Sequence, residues 1–107
     1  KKEAKMDTKA GHPEFYKLLE RMGEIHSSKN RDYNPGNDPL ANFRMSESMG
    51  IPAWKGCLVR MGDKFSRLCS FAKKEKYEVR DESVEDTLID LAVYSLLCVI
   101  LYREQLK

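Results

Sequence analysis

The sequence lacks the motifs of several common catalytic and cofactor sites. It contains no Walker-type G-x-x-x-x-G-K, no G-x-G-x-x-G and no H-E-x-x-H, which argues against a P-loop, a dinucleotide-binding fold and a zinc protease. It has only two histidines, His12 and His26. The chain therefore gives no support for a serine or cysteine nucleophile activated by a histidine.

Cysteines are few and are not arranged for metal binding. Cys57, Cys69 and Cys98 are widely spaced, odd in number and form no C-x-x-C pair. Because all three stand among apolar residues, we expect buried thiols in a reducing compartment rather than disulfides or a zinc site. The start of the chain has no apolar run typical of a signal peptide, and the longest apolar run, 91–101, is too short to span a bilayer. These features predict a cytoplasmic protein without a membrane partner.

A large excess of charge of one sign is also missing. Nineteen basic and 17 acidic residues give a formal net charge of +2, which argues against a nucleic-acid partner. The length of 107 residues allows one domain with one modest core. We expect a disordered basic tail over residues 1–11 and a single helical domain over residues 12–107.

Helical periodicity dominates the rest of the chain. Pro13 suits the first position of a helix, and Gly50 suits the end of a short helix that Asp38 and Pro39 begin. A third helix follows Pro52, and a fourth occupies 81–102, with no convincing strand hairpin. The pattern predicts an all-α, four-helix-bundle-like domain of three long helices and one short one. The expected core stripes are Phe15, Leu18, Leu19, Met22 and Ile25 in the first helix, and Trp54, Leu58, Met61, Phe65, Leu68 and Ala72 in the third, with Cys57 along one edge.

The fourth helix is apolar nearly all round from Leu91 to Leu101. A helix of this kind must be buried on most sides. Three other helices in so short a chain cannot readily cover it, so we expect a homo-oligomer, a dimer or larger.

Four carboxylates precede this apolar stretch, within an arc of roughly 140° around the helix. Asp90 lies between Ile89 and Leu91, at the edge of the expected core, where an ionised carboxylate needs a cation, a metal or several hydrogen-bond donors. Carboxylates on adjacent turns are a common way to hold Mg²⁺ or Mn²⁺. The alternatives are that Arg60 or Arg67 pairs with Asp90, and that the other three acids only complement the helix dipole. The cluster comprises Glu82, Glu85, Asp86 and Asp90.

Basic residues recur on the third helix and at the end of the first. Arg60, Lys64 and Arg67, with Asp63 among them, share one face and suit phosphate binding, although the spacing alone favours a solvent-exposed ladder of ion pairs. The side chains of two further sets of polar residues would contact either a ligand or only solvent. They are His26, Lys29, Asn30 and Tyr33 on one flank of the first helix, and Asn42 and Arg44 in the short helix.

Several segments together resemble a known family. K29-N-R-D-Y33, N42-F-R, I51-P-A-W, R60-M-G-D-K-F-S-R-L68 and E85-D-T-L-I-D-L-A-V-Y94 are similar to the nucleotide-modification-associated domain. This is a helical family of phages and bacteria that is often encoded near thymidylate synthases or other nucleotide enzymes. The resemblance covers about residues 12–104, and it implies the cytoplasm of a host cell if the chain is encoded by a phage.

More distantly, the layout is similar to MazG-like and dimeric dCTP/dUTP pyrophosphohydrolases. These all-α enzymes use Mg²⁺ held by acidic side chains to activate water against a nucleoside triphosphate. Asp86 and Asp90, followed by an apolar helix, match the E-x-x-x-D part of their second motif, and 26–30 resembles a substrate-side segment. The chain departs from the first motif, because Arg60 and Asp63 stand where E-x-x-E is expected.

The resemblance and the residues together predict a Mg²⁺-dependent (or Mn²⁺-dependent) nucleoside triphosphate pyrophosphohydrolase of phage type. It would release a nucleoside monophosphate and pyrophosphate. One alternative is a non-catalytic protein that binds and sequesters a nucleotide or nucleotide signal, and another is a helical oligomeric interaction module. The predicted roles are catalysis for Glu85 and Asp90; metal binding for Asp63, Glu82, Asp86 and Asp90; and substrate binding for Lys29, Asn30, Tyr33, Asn42, Arg44, Arg60, Lys64 and Arg67.

Overall fold

The computed structural model describes residues 9–74 and 82–107, with Glu82 and Ser83 described by their backbone alone. Residues 1–8 of the predicted disordered tail and residue 81, the first of the predicted fourth helix, lie outside these residues. The described chain forms helix α1 (Pro13–Tyr33), two 3₁₀ helices (Ala41–Phe43 and Met45–Met49), helix α2 (Ala53–Lys73) and helix α3 (Glu82–Gln105). No strand occurs in this part of the chain, so the all-α prediction is confirmed. None of its helices is both long and apolar enough to cross a membrane.

Local side-chain and backbone signals set the helix ends. α1 begins at Pro13, and Nδ1 of His12 accepts a hydrogen bond from the backbone N–H of Glu14 at 3.0 Å, which satisfies a free donor of the first turn. Gly50 ends the short helical segment with a left-handed φ of 79°, a conformation that glycine adopts without strain. Both predicted boundaries are confirmed.

The short helix differs from the prediction in type. Residues 41–49 form two 3₁₀ helices, hereafter the 3₁₀ segment, rather than one α-helix. Leu40 and Phe43 are both buried, and residues three apart lie one above the other in a 3₁₀ turn. The tighter turn therefore directs both side chains into the core.

The core lies between α2, α3 and the 3₁₀ segment. Cys57 is fully buried, whereas Leu58 and Phe65 of the predicted face are exposed. The buried side of α2 is thus rotated toward the Cys57 edge. Cys69 is exposed, contrary to the prediction of three buried thiols, because the buried residues of α2 all lie in its first two turns. The core consists of Leu40, Phe43, Ala53, Cys57, Leu97, Cys98 and Leu101, with Trp54, Met61, Val93 and Tyr94 packed against it.

Helix α1 has no buried residue at all. Phe15, Leu18 and Leu19, predicted to lie in the core, are 57%, 40% and 43% exposed. They form one wall of a groove whose other wall belongs to α3. We call it the apolar groove; it is lined by Phe15, Leu18, Leu19, Met22, Glu85, Leu88, Ile89 and Ala92.

Candidate functional site: a basic pocket between the three helices

A pocket of about 220 Å³ opens where the last turns of α1 meet the middle of α2 and α3. Phe43 and Asn42 of the 3₁₀ segment close one side. We call this cavity the basic pocket. Its lining is Ile25, His26, Lys29, Asn30, Tyr33, Asn34, Asn42, Phe43, Arg60, Lys64, Asp90, Val93, Tyr94 and Leu97.

Asp90 is held between two lysines. Lys29 of α1 donates to its Oδ1 at 2.9 Å, and Lys64 of α2 donates to its Oδ2 at 3.3 Å. The Asp90 and Lys64 side chains are only 22% and 19% exposed. The expectation that a cation stabilises this carboxylate is therefore met by two ammonium groups, and not by Arg60 or Arg67 as the sequence suggested.

The pKa of Asp90 depends on its burial and on its two lysine partners. Burial is the largest single effect and opposes ionisation, but Lys29 and Lys64 together outweigh it and hold the pKa of the carboxyl below its usual value. The hydrogen bond to Asp90 raises the pKa of Lys29 above the ordinary lysine value, although burial opposes this effect. Asp90 and Lys29 are thus both charged at neutral pH.

Arg60 differs from the lysines because no carboxylate lies within ion-pair distance of it among the described residues. Its guanidinium lies 4.7 Å from the ring centre of Phe43 and 5.3 Å from that of Tyr94. It also donates at 3.4 Å to the backbone oxygen of Asn42 and to the Tyr94 hydroxyl. Aromatic faces and neutral oxygens stabilise a guanidinium, but they leave its positive charge uncompensated.

The pocket lining is positively charged as a whole. Lys29, Arg60 and Lys64 supply three positive charges, and Asp90 is the single carboxylate among them. With His26 neutral, the lining carries two net positive charges. A partly enclosed site of this kind attracts anions.

An asparagine network shapes the wall formed by the loop before the 3₁₀ segment. The Nδ2 of Asn34 donates to the backbone oxygen of Pro39 at 3.1 Å and to Oδ1 of Asn42 at 2.7 Å. Its Oδ1 accepts from the backbone N–H of Asn42 at 2.9 Å, and Asn30 also donates to Pro39, at 2.5 Å. Asn30 and Asn42 therefore stabilise the wall in addition to lining the pocket.

Seven of the predicted site residues meet at the pocket, and the other predicted residues lie elsewhere. Arg44 is 2.5 Å from Asp38 and 3.0 Å from Glu104, outside the lining. Asp63, Arg67 and Asp86 are exposed and do not line the pocket, and Glu85 borders the apolar groove. The side chain of Glu82 lies outside the described residues. The seven are Lys29, Asn30, Tyr33, Asn42, Arg60, Lys64 and Asp90.

Three lining residues with clear roles were not predicted from the sequence. Phe43 and Tyr94 provide the aromatic faces for Arg60, and Asn34 organises the loop. Asn34 is the C-terminal cap of α1, and its position before Pro35 was an available signal. Phe43 and Tyr94 have apolar spacing that a core position explains equally well.

The described side chains form no cluster of metal ligands. No group of three or more histidine, cysteine, aspartate or glutamate side chains among them is arranged to hold a metal ion. Both oxygens of Asp90 accept hydrogen bonds from ammonium groups, so binding of Mg²⁺, which prefers carboxylate oxygens and water, would require Asp90 to exchange Lys29 and Lys64 for the metal. The predicted metal site, which also includes Glu82, stays a prediction from the sequence.

Comparisons with protein-family models, with curated proteins and with solved structures each gave no significant match. The resemblance to the nucleotide-modification-associated domain thus stays a prediction from the motifs.

Proposed function

We propose that the protein binds a small phosphate-bearing nucleotide in the basic pocket. The observation that carries this proposal is Arg60, a half-buried guanidinium without a carboxylate partner among the described residues, beside the Lys29 and Lys64 ammonium groups. Arginine and lysine are both common phosphate-binding residues, and the guanidinium fork matches the geometry of phosphate oxygens. Tyr33 is exposed where it borders the pocket, so its ring is available to stack on a base.

Binding without hydrolysis is the alternative that the geometry favours. Metal-dependent hydrolysis of a triphosphate requires carboxylates free to hold a metal and to activate water. Asp90 is bonded to two lysines, and Asp63 and Asp86 do not line the pocket. The pyrophosphohydrolase hypothesis requires Asp90 to leave its lysines for a metal ion.

Calorimetry on the full chain tests the proposal. The ligands are the four deoxynucleoside monophosphates and the four triphosphates, each with and without Mg²⁺. We expect heat of binding from at least one of them, and at least tenfold weaker binding in Arg60→Gln. The matched control Arg21→Gln removes the same charge from an exposed position of α1 outside the lining and should bind like the parent chain.

Calorimetry, together with an assay for released pyrophosphate, distinguishes three functions. Binding without release of pyrophosphate supports the proposal, and release of pyrophosphate that depends on Mg²⁺ and Asp90 supports the hydrolase instead. No heat with any nucleotide supports the helical interaction module.

We also propose that the chain forms a homo-oligomer through the apolar groove. Phe15, Leu19 and Leu88 expose a large part of their surface there, and contiguous exposed apolar surface of this kind marks protein–protein contacts. A second copy brings the same two helices, so α1 and α3 of two copies together would form a four-helix layer.

A further inference from the structure

We propose that the basic pocket selects a phosphate monoester with two negative charges, that is, a nucleoside monophosphate, over a nucleoside triphosphate. This inference rests on the proposed nucleotide binding and specifies the class of nucleotide. Three features of the pocket support it: its net charge, the arrangement of its cations and its size.

The net charge of the lining matches one terminal phosphate. A phosphate monoester carries about −1.5 to −2 at pH 7, since its second pKa is about 6. Lys29, Arg60 and Lys64 against Asp90 leave two positive charges to meet it. A triphosphate adds roughly two more negative charges, and the described lining holds neither a further cation nor a carboxylate group arranged for a metal that would neutralise them.

Arg60 and Lys64 form the most direct phosphate site within the pocket. They stand one turn apart on α2, and both lie over the same ring, at 5.3 and 5.7 Å from the centre of Tyr94. Lys64 uses one donor on Asp90, and an ammonium group has three donors. The remaining donors of Lys64 and the guanidinium fork of Arg60 can therefore bind two oxygens of a single phosphate.

Asp90 acts against a longer phosphate chain. Its carboxylate is part of the same lining, between Lys29 and Lys64, so it repels a second and third phosphate that extend toward the lysines. Specificity often depends on such a repulsive group as much as on attraction. Asp90 is thus the residue that sets how many phosphates the pocket accepts.

The volume of the basic pocket, like its net charge, favours a ligand with one phosphate group. Ligand pockets for drug-sized molecules typically measure about 300–1,000 Å³, and the basic pocket measures about 220 Å³. A pocket of this size encloses only part of a nucleotide, which agrees with recognition of one phosphate group rather than of a chain of three.

The experiment measures dissociation constants by calorimetry on the full chain, in EDTA, with matched deoxynucleoside monophosphates and triphosphates. We expect at least tenfold tighter binding of the monophosphate. Asp90→Asn should reduce this ratio several-fold because the repulsive charge is lost, and circular dichroism checks that the variant is folded. A triphosphate that binds more tightly than its monophosphate in EDTA overturns the inference and leaves nucleotide binding intact, whereas no binding of any nucleotide overturns both.

A pH series adds a second measurement that does not depend on a variant. Binding of the monophosphate should strengthen from pH 5 to 7 as the second proton leaves the phosphate. A 3′,5′-cyclic monophosphate has no second ionisation and controls for titration of the protein. The groups around the pocket are His26, Lys29 and Tyr33 of α1, Arg60 and Lys64 of α2, and Asp90 and Tyr94 of α3. His26→Gln should retain the pH response, and its loss in that variant would contradict the assignment to the phosphate.

Discussion

Asp90 connects three helices through one side chain. It belongs to α3, and its two oxygens accept from Lys29 of α1 and Lys64 of α2. The contact of α1 with the rest of the chain depends on few other interactions, because α1 has no buried residue. The same ion pairs therefore shape the pocket and hold α1 beside it.

Acid should remove the stabilisation that Asp90 provides. Because its native pKa lies below the ordinary value, the stabilisation is complete above the ordinary aspartate pKa of about 4 and is lost as the pH falls through the native pKa. The pairs are partly exposed, so we expect Asp90→Asn to cost about 1 kcal/mol or less at pH 7 and less than that at pH 2.5. Thermal unfolding of both proteins at the two pH values measures the difference.

An exposed aspartate controls for the general effect of charge. Asp32→Asn on α1 changes an exposed position outside the pocket and should leave the unfolding temperature almost unchanged at both pH values. A gap between the Asp90→Asn variant and the parent chain that persists undiminished at pH 2.5 would show that the ion pairs do not stabilise the fold.

The sequence indicated the residue types of the pocket better than their partners. Helical spacing placed Arg60, Lys64 and Arg67 on one face, but Arg67 lies beyond the pocket. Spacing reports a face and not how far along the helix a neighbour extends. It also could not identify Lys29 as a partner of Asp90, since that contact joins two helices far apart in the chain.

At the scale of elements, the approach of α2 to the 3₁₀ segment depends on Gly56. A Cβ at this position would lie 2.5 Å from Oγ and 2.8 Å from Cβ of Ser46, closer than real Cβ atoms come to such neighbours. The absence of a side chain lets the segment pack beside the fully buried Cys57.

Replacement of Gly56 by alanine should destabilise the protein, although alanine favours a helix by about 1 kcal/mol over glycine. The clash with Ser46 forces the segment to shift, and crowding of this kind typically costs about 1–3 kcal/mol. The net loss measured by chemical denaturation should be about 0–2 kcal/mol. Gly62→Ala on the same helix is the control, because nothing lies within 4 Å of its added Cβ, and it should stabilise by up to about 1 kcal/mol. Equal gains in both variants would contradict close packing at Gly56.

Helix boundaries were predictable where a single residue type decides them. Pro13 and Gly50 act through their own backbone geometry, so no tertiary contact is needed to recognise them. The prediction that the apolar stripe of α1 lies in the core was wrong, because apolar periodicity shows only that a helix face should be covered by some protein surface. It does not show whether Phe15 and Leu18 are covered by the same chain.

At the scale of the whole molecule, the chain is more open than a compact domain of its length. Its radius of gyration is 16.6 Å, against about 13 Å for a compact domain of this length. The difference agrees with the exposed stripe of α1. Both features are expected of a protomer whose apolar groove is covered by a second copy.

Self-association through the groove is therefore the prediction at this scale. Light scattering at micromolar concentration should give at least twice the mass of 12.4 kDa. Leu88→Glu places a charge on the groove wall, at a side chain that is 52% exposed, and should produce monomers because an unpaired charge is costly in an apolar interface. Val59→Glu places the same charge on an exposed position of α2 outside the groove and should remain associated. Monomers from Val59→Glu but not from Leu88→Glu would move the interface to α2, and a monomeric parent chain would refute self-association.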